Sequence, residues 1–420
     1  MMDTNGFKNA LKHNIVYHCL TPDPAQALVF GGGVTGCTIH MPDDSLYLLL
    51  SRSDLWNEEA AMGAIAAVRI KGTRGLFTDS NPVRQVCSVG NAEIKISLGT
   101  PTGEVMISLN CLRGRNLLVV DISDGRLTTG GWTVSIENWH PGDILETYAP
   151  DSIETLHVNR KSVYADKNRK VGLDTEKFGL LDPLLRRAWG LWVSASGAEA
   201  KGGTLSLPPS GSHRILVATA CEPPSDVIDS ELVVKKRGRN LVKTQSDTLE
   251  SWFAEHRQWW RAFWEKSFIT LRSGSGEAEY EERLWYVNLY AMACGMGGKY
   301  PLRFNGGSFL LEKDQRTWDS GYWGQNMRLV YFPMLAAGHL DFVREYIDWY
   351  LDNLPFVAAQ TKSLFGIDGL AWPETQSFWG GGGQGGLDCH FTNNLEICLL
   401  MDLYYEASGD EGFLREHFYP

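Results

Sequence analysis

The stretch Ser246–Lys266 reads SDTLESWFAEHRQWWRAFWEK and divides the chain into two patterns. Leu249, Trp252, Phe253, His256, Trp260 and Phe263 recur at helical spacing, which predicts one long helix with a broad apolar face. Ser246 and Asp247 are residue types that cap helix starts. Before this helix the chain reads as β. After it the chain reads as α.

On the N-terminal side, runs of apolar and β-branched residues are punctuated by Gly, Pro, Asn and Asp. The expected strands are Ala27–Phe30, Leu46–Leu50, Ala67–Ile70, Glu93–Leu98, Glu104–Leu109, Asn116–Ile122, Trp132–Glu137, Leu191–Ser196, Gly203–Leu207 and Arg214–Thr219. Many strands with few helical patterns predict a large β-sandwich. Residues 150–190 are more polar and read as an excursion from it. The pattern changes at Pro223-Pro224.

On the C-terminal side, helices are expected over Glu279–Cys294, Gly321–Ala337, Leu340–Leu354 and Thr392–Ala407, with a last helix-like segment at Glu411–Phe418. Long loops, Gly295–Ser320 and Pro355–Phe391, separate them, and loops of that length are usually functional. Buried helices alternating with amphipathic ones suit an (α/α)6 toroid. Too few helices precede Pro420 for a complete one, so a truncated toroid is expected. The expected class is therefore multidomain β plus α. Residues 1–225 form a sandwich, 226–275 a linker with its helix, and 276–420 the first part of an (α/α)6 barrel.

Composition narrows the function. Of 420 residues, 43% are apolar and 21% charged, as in globular proteins. No apolar run reaches the roughly 18 residues of a membrane span. The net charge of -11 argues against nucleic acid, since phosphate binding needs clustered cations. The one basic cluster, Lys235 to Arg239, reads as a solvated turn. Eight scattered Cys without zinc spacing read as free, mostly buried thiols, and neither a metal nor a cofactor is expected. No signal peptide is evident at the N-terminus, so the chain as given reads as cytoplasmic, or as periplasmic or secreted if its start is incomplete. Ten of the 15 Trp fall between Trp252 and Trp379, a density that fits a sugar site or a Trp-rich core equally.

Three segments concentrate polar and aromatic residues: Lys299–Gly307, Trp318–Arg328 and Gly369–Thr375. The Gly-rich run Gly380–Gly386 follows and reads as a flexible loop, since no Gly-Lys-Ser/Thr follows it. Glycoside hydrolysis needs a protonated carboxylic acid at the leaving oxygen and a second group that activates water or attacks carbon. Glu374, between Trp372 and Phe378-Trp379, is the candidate acid, because burial against an indole raises a carboxyl pKa. Asn326 and Asn305 are candidates to orient water or bind hydroxyls. Asp319 is either a second carboxylate or a helix cap. Trp318, Trp323, Trp372 and Trp379 are expected to wall a sugar pocket, with Arg328, His390 and Asn393 as further contacts.

These motifs resemble a known family. The string Trp323-Gly324-Gln325-Asn326-Met327-Arg328-Leu329-Val330-Tyr331-Phe332-Pro333 resembles the Asn-x-Gln-Met-Asn-Tyr-Trp-Pro stretch of glycoside hydrolase family 95, the inverting α-L-fucosidases and α-L-galactosidases. Asn326 matches one Asn of the family's water-activating pair, and Gly324 stands at the other. Trp372-Pro373-Glu374 resembles its Ser-Pro-Glu, whose Glu is the general acid. Lys299–Gly307 resembles the Lys-Tyr-Pro-x-x-Phe-Asn-Gly segment of a less characterised group of related bacterial proteins. The resemblance implies a six-hairpin glycosidase, exo-acting and inverting, whose catalytic Asp lies beyond residue 420. The partner it implies is a carbohydrate. Two alternatives stay open: a carbohydrate-binding scaffold on the same fold, and a polysaccharide lyase using His390 and Asn305. Oligomeric state is not legible.

Overall fold

The computed structural model describes residues 5–127, 130–316, 318, 320–382 and 392–418. Its strands are β1 Ile15–Tyr17, β2 Leu28–Gly31, β3 Thr35–His40, β4 Leu46–Arg52, β5 Ala64–Lys71, β6 Val83–Ser88, β7 Glu93–Thr100, β8 Gly103–Leu112, β9 Leu117–Asp124, β10 Trp132–Glu137, β11 Ile144–Ala149, β12 Ser152–Val158, β13 Ala188–Ala195, β14 Glu199–Lys201, β15 Thr204–Leu207, β16 Ser212–Glu222, β17 Tyr322–Trp323 and β18 Thr375–Gln376. Nine pair in the order β1-β6-β7-β8-β9-β16-β13-β12-β11, and seven in the order β14-β15-β10-β5-β4-β3-β2. All of these pairings are antiparallel.

The helices are α1 Gly6–Leu11, α2 Tyr164–Lys170, α3 Ser230–Leu241, α4 Ser246–Lys266, α5 Glu277–Gly295, α6 Gly324–Ala336, α7 Leu340–Asp352, α8 Leu354–Phe365 and α9 Thr392–Ser408. The chain is thus a large β-sandwich, a linker helix and a helical half. No helix among the described residues is long and apolar enough to cross a membrane.

The continuous apolar runs have a physical cause. In β9, Leu118, Val120 and Ile122 join the core between the sheets. Leu117 and Val119 point the other way, into a second core with Val234 of α3 and Leu249 and Phe253 of α4. In β4, Leu46, Leu48 and Leu50 face inward, while Tyr47 and Leu49 meet Leu310 from the long loop before α6. Strands buried on both faces lose the polar alternation. The main core runs on through Trp260, Tyr290, Trp349 and Tyr350, so sandwich and helices share one apolar interior.

Four expectations are corrected. The segment from residue 150 is not all excursion: β12 is wholly buried inside the nine-stranded sheet, and the detour to α2 begins after it. The basic cluster is not a turn but part of α3, and three of its four charges are paired: Arg239 binds Glu154, Arg237 binds Glu222 and Lys235 binds Glu231, while Lys236 is exposed. Ser246 and Asp247 do not cap α4, whose cap position is Gln245 without a side-chain bond. Residues 355–365, read as loop, belong to α8, which carries Pro355 in its first turn, where a missing N–H costs nothing.

Of the described cysteines, Cys37, Cys87, Cys111, Cys221 and Cys294 are buried and all seven are free. Most of the Trp density is core as well: Trp260, Trp264, Trp349, Trp372 and Trp379 are buried.

Gly238 shows why α3 lies flat on the sheet. A Cβ there would stand 2.0 Å from Trp192 Cδ2. Gly238→Ala is expected to cost ~1–3 kcal/mol by overpacking, although Ala is the better helix former. Urea unfolding checks this; an alanine that stabilises would refute it.

A second prediction concerns Glu345 on α7, which accepts from Gly297 N at 3.0 Å. Burial pushes its carboxyl up to about 7, against the Arg113 guanidinium and the Gly297 N–H. An acid whose folded pKa exceeds its unfolded value of about 4.3 carries no penalty at low pH and the full penalty above the folded pKa. Its contribution therefore falls as pH rises from about 4 to about 7. Glu345→Gln is expected to gain stability relative to wild type between pH 5 and pH 8. A pH-independent difference in denaturation midpoint would refute the assignment.

Candidate active site

The site is assembled at the start of α6. There β17 and β18 pair, with Tyr322 opposite Gln376 and Trp323 opposite Thr375. This two-stranded ribbon brings the Trp372-Pro373-Glu374 loop against the first turn of the helix. Gly324 N donates to Glu374 O at 2.8 Å, and Gln325 N donates to Glu374 Oε1 at 2.8 Å. A helix start offers unpaired N–H groups and a positive dipole end, and the side chain of Glu374 answers both. Glu374 is only 6% exposed.

Asn326 lies in the same turn and is half-buried, and its carboxamide makes no hydrogen bond among the described residues. Gly324 has a steric reason to be glycine. A Cβ there would come 2.4 Å from Asn393 Oδ1. Asn393, buried at the start of α9, donates through Nδ2 to Pro373 O at 2.9 Å. It braces the Glu374 loop against α6. Asn394 does similar work: its Oδ1 accepts from Trp372 N at 2.8 Å.

Arg328, one turn into α6, is engaged. Its Nη1 meets Glu396 Oε1 at 3.2 Å and its Nε donates to Gln325 O at 3.2 Å. Tyr350 belongs to the same neighbourhood. Its hydroxyl meets that of Tyr346 at 2.7 Å. Burial, with Glu374 and Glu396 adding to it, drives the Tyr350 phenol well above its ordinary range.

The four tryptophans separate. Trp372 is buried edge-on to Tyr350, and Trp379 is buried with its Nε1 donating to Asn168 Oδ1 at 3.3 Å. Trp318 is 60% exposed and sits edge-to-face on half-buried Trp323, ring centroids 5.3 Å apart. Trp323 Nε1 holds the Trp318 carbonyl at 3.2 Å. Trp318 also has φ 65°, a strained conformation for a bulky side chain and one that concentrates at functional sites.

Asn305 lines a different cleft, of about 910 Å³, with Phe309, Leu311, Glu312 and Arg316. Its carbonyl accepts from Arg316 Nη1 at 3.0 Å. This loop is pinned to the sandwich by Asp314, which accepts from Ala64 N at 3.1 Å and Trp139 Nε1 at 2.9 Å. Phe304 contacts Trp318, ring centroids 6.3 Å apart, and so links the two clefts. Asp319 and His390 lie outside the described residues. No group of three or more His, Cys, Asp or Glu suited to a metal occurs among the described residues.

Sequence reading passed over Glu396 and Gln325 as site residues. Glu396 stands three residues after Asn393 on α9, so helical spacing places both toward α6. Gln325 acts through its backbone N–H, which no side-chain motif advertises.

One solved structure shares the architecture. A provisionally assigned kojibiose phosphorylase from the human microbiome superposes with TM-score 0.64 at 10% identity, over 96% of this chain. At that identity the likeness is one of fold. This chain spans 57% of that protein's length. A glycosyl hydrolase of family 92 matches with TM-score 0.45 and 12% identity, over 95% of this chain and 56% of its own. A bacterial glucoamylase complexed with acarbose matches with TM-score 0.42 and 11% identity, over 94% of this chain and 61% of its own. No curated protein matches the sequence. The sandwich and linker helix carry the family signature: the DUF5703_N profile, a domain of unknown function (DUF5703), matches residues 16–147 and 141–269, more than half of the chain, and the chain belongs to that family.

Proposed function

We propose that this chain is part of a carbohydrate-active enzyme, a glycoside hydrolase that releases a terminal sugar with inversion. The observation that carries the reading is Glu374: buried, with one carboxyl oxygen fixed by the Gln325 N–H, beside the unbonded amide of Asn326. In this reading the Glu374 carboxyl gives its proton to the leaving oxygen. Trp318 and Trp323 stack on the sugar, and Asn326 orients the attacking water. Asn305 acts from the neighbouring cleft.

The resemblance to family 95 supports an α-L-fucoside- or α-L-galactoside-like substrate and a base that follows residue 420 in sequence. The division of the chain at residues 225 and 275 into sandwich, linker and part of an (α/α)6 barrel belongs to the same reading.

A second reading has its own support. The Glu374 carboxylate already braces a helix start, a role that needs no proton, and this fits a binding protein on the same fold. A sugar-release screen separates the two. The complete open reading frame and this chain are each run on a panel of α- and β-glycosides with anomer-resolving NMR. Release of the inverted anomer is expected. Glycan binding without release by either form would favour the binding protein.

A further inference from the structure

Between the sandwich and the helical half lies a cleft of about 230 Å³ walled by the indoles of Trp56 and Trp379. Lys167 and Lys170, from α2 in the sandwich excursion, reach the same cleft. Three residues apart on a helix, they share one face. Neither has an ion-pair partner among the described residues, while their helix neighbour Arg169 pairs with Asp166. Among the described residues no Asp or Glu lines the cleft.

On the opposite wall stands Thr375, 4% exposed, whose Oγ1 is buried without a hydrogen-bond partner. An unpartnered buried hydroxyl costs about 1–3 kcal/mol, a cost that a ligand accepting from it in this cleft would remove. The neighbouring hydroxyl of Ser377 is already used, donating to Gly381 O at 2.8 Å. Beside the Ser320 hydroxyl, which accepts from Met62 N, and the Gln376 amide, which donates to Pro373 O, the cleft thus offers two ammonium groups and the Thr375 O–H, with no carboxylate among the described residues to answer them. Thr375 pairs with Trp323 across the β17–β18 ribbon, so the two project from the same face. The donors thus lie beside the exposed Trp318–Trp323 surface.

We propose that this cleft binds an oxyanion, a sulfate, carboxylate or phosphate group, held by Lys167, Lys170 and the Thr375 hydroxyl. The anion is carried by the sugar, as a sulfate or uronate substituent, or arrives as free phosphate that attacks the glycoside in place of water. In the second case the anomeric carbon–oxygen bond breaks, a phosphate oxygen forms the new bond to that carbon, and the leaving oxygen takes a proton. The oxyanion assignment stands apart from the glycan reading; only the sugar as its carrier rests on that reading.

Titration calorimetry of the full chain tests this with four probes: inorganic phosphate, sodium sulfate, glucuronate and glucose. Saturable binding of at least one anion is expected, weakened at least tenfold in Lys167→Ala/Lys170→Ala and weakened in Thr375→Val. Binding is expected to be restored in part by Lys167→Arg/Lys170→Arg. Phosphate binding without glucuronate supports the site with free phosphate as its ligand. Glucuronate binding, with glucose silent, supports it with a sugar-borne acid. Binding unchanged in the double alanine variant, or no anion bound by folded wild type, overturns the proposal, whatever Glu374 variants do to sugar release.

Discussion

If Glu374 is the general acid proposed, Glu374→Gln is expected to lower kcat for glycoside hydrolysis by about 10²–10⁴, the span general acids contribute, while leaving the fold intact. The geometry explains why the two effects separate. The amide oxygen of Gln still accepts the Gln325 N–H, so the start of α6 stays braced. The proton is what disappears. Glu374→Ala removes both, and loss of a helix-start acceptor adds ~0.5–2 kcal/mol of instability. The two variants therefore share a catalytic defect and differ in thermal midpoint. Leaving-group dependence gives a sharper readout. A nitrophenolate departs without a proton, whereas a sugar alkoxide does not. Glu374→Gln is expected to lose far less on nitrophenyl glycosides than on the natural glycan. Equal losses on both would mean that Glu374 serves the site as a brace and not as an acid.

The fold was legible where apolar and β-branched runs mark a strand, and less so where polar residues are buried: β3, TGCTIH, and β12 are both wholly buried and neither was expected. All ten strands expected from apolar runs are present, and α4 runs from Ser246 to Lys266 as its spacing predicts. Strand β12, SIETLHV, was missed because buried Glu154, Thr155 and His157 look like surface residues. Glu154 is tolerated inside because Arg239 and Trp192 Nε1 satisfy it. Likewise, α3 hid behind its run of cations, whose partners lie on β12, β16 and α3 itself.

The site was legible in part. Motif reading pointed to Glu374 and Asn326, and the structure brings them to one helix turn. It pointed equally to Trp372 and Asn393, which turn out to be buried packing and bracing groups. Residue type in a motif does not distinguish a wall from a brace; burial and hydrogen-bond partners do. Thr375, Lys167 and Lys170 carry no motif at all. They meet only because α2 of the sandwich folds against the ribbon that holds Glu374.

Asp54→Asn is expected to destabilise the protein by ~2–3 kcal/mol, below the ~3–5 kcal/mol of a fully buried ion pair, because Arg52 is buried while the Asp54 side chain stays partly exposed. Arg52, 3% exposed, grips the Asp54 carboxylate with Nε and Nη2, each at 2.7 Å, while its Nη1 donates to Thr219 Oγ1 at 2.9 Å. Burial alone would push the Asp54 carboxyl up; the Arg52 guanidinium more than offsets this and holds it below its usual value. The stabilisation is thus present above the unfolded carboxylate range, near pH 4, and lost as pH falls through the lower folded value. Asn removes the charge and leaves Arg52 buried without it. The backbone of the same residue takes a second cation: Asp54 O accepts from Arg187 Nη1 at 2.9 Å. Arg187 in turn reaches Tyr300 of the Lys-Tyr-Pro segment at 3.4 Å and lies over Phe378. The pair therefore sits beneath the contact that joins the sandwich to the loops of the candidate site. Replacing both partners, Arg52→Met with Asp54→Leu, is expected to cost less than the sum of the single changes, because no buried charge is then stranded. Guanidinium unfolding of the three variants decides it. A single Asn variant within 1 kcal/mol of wild type would show that the junction does not depend on this ion pair.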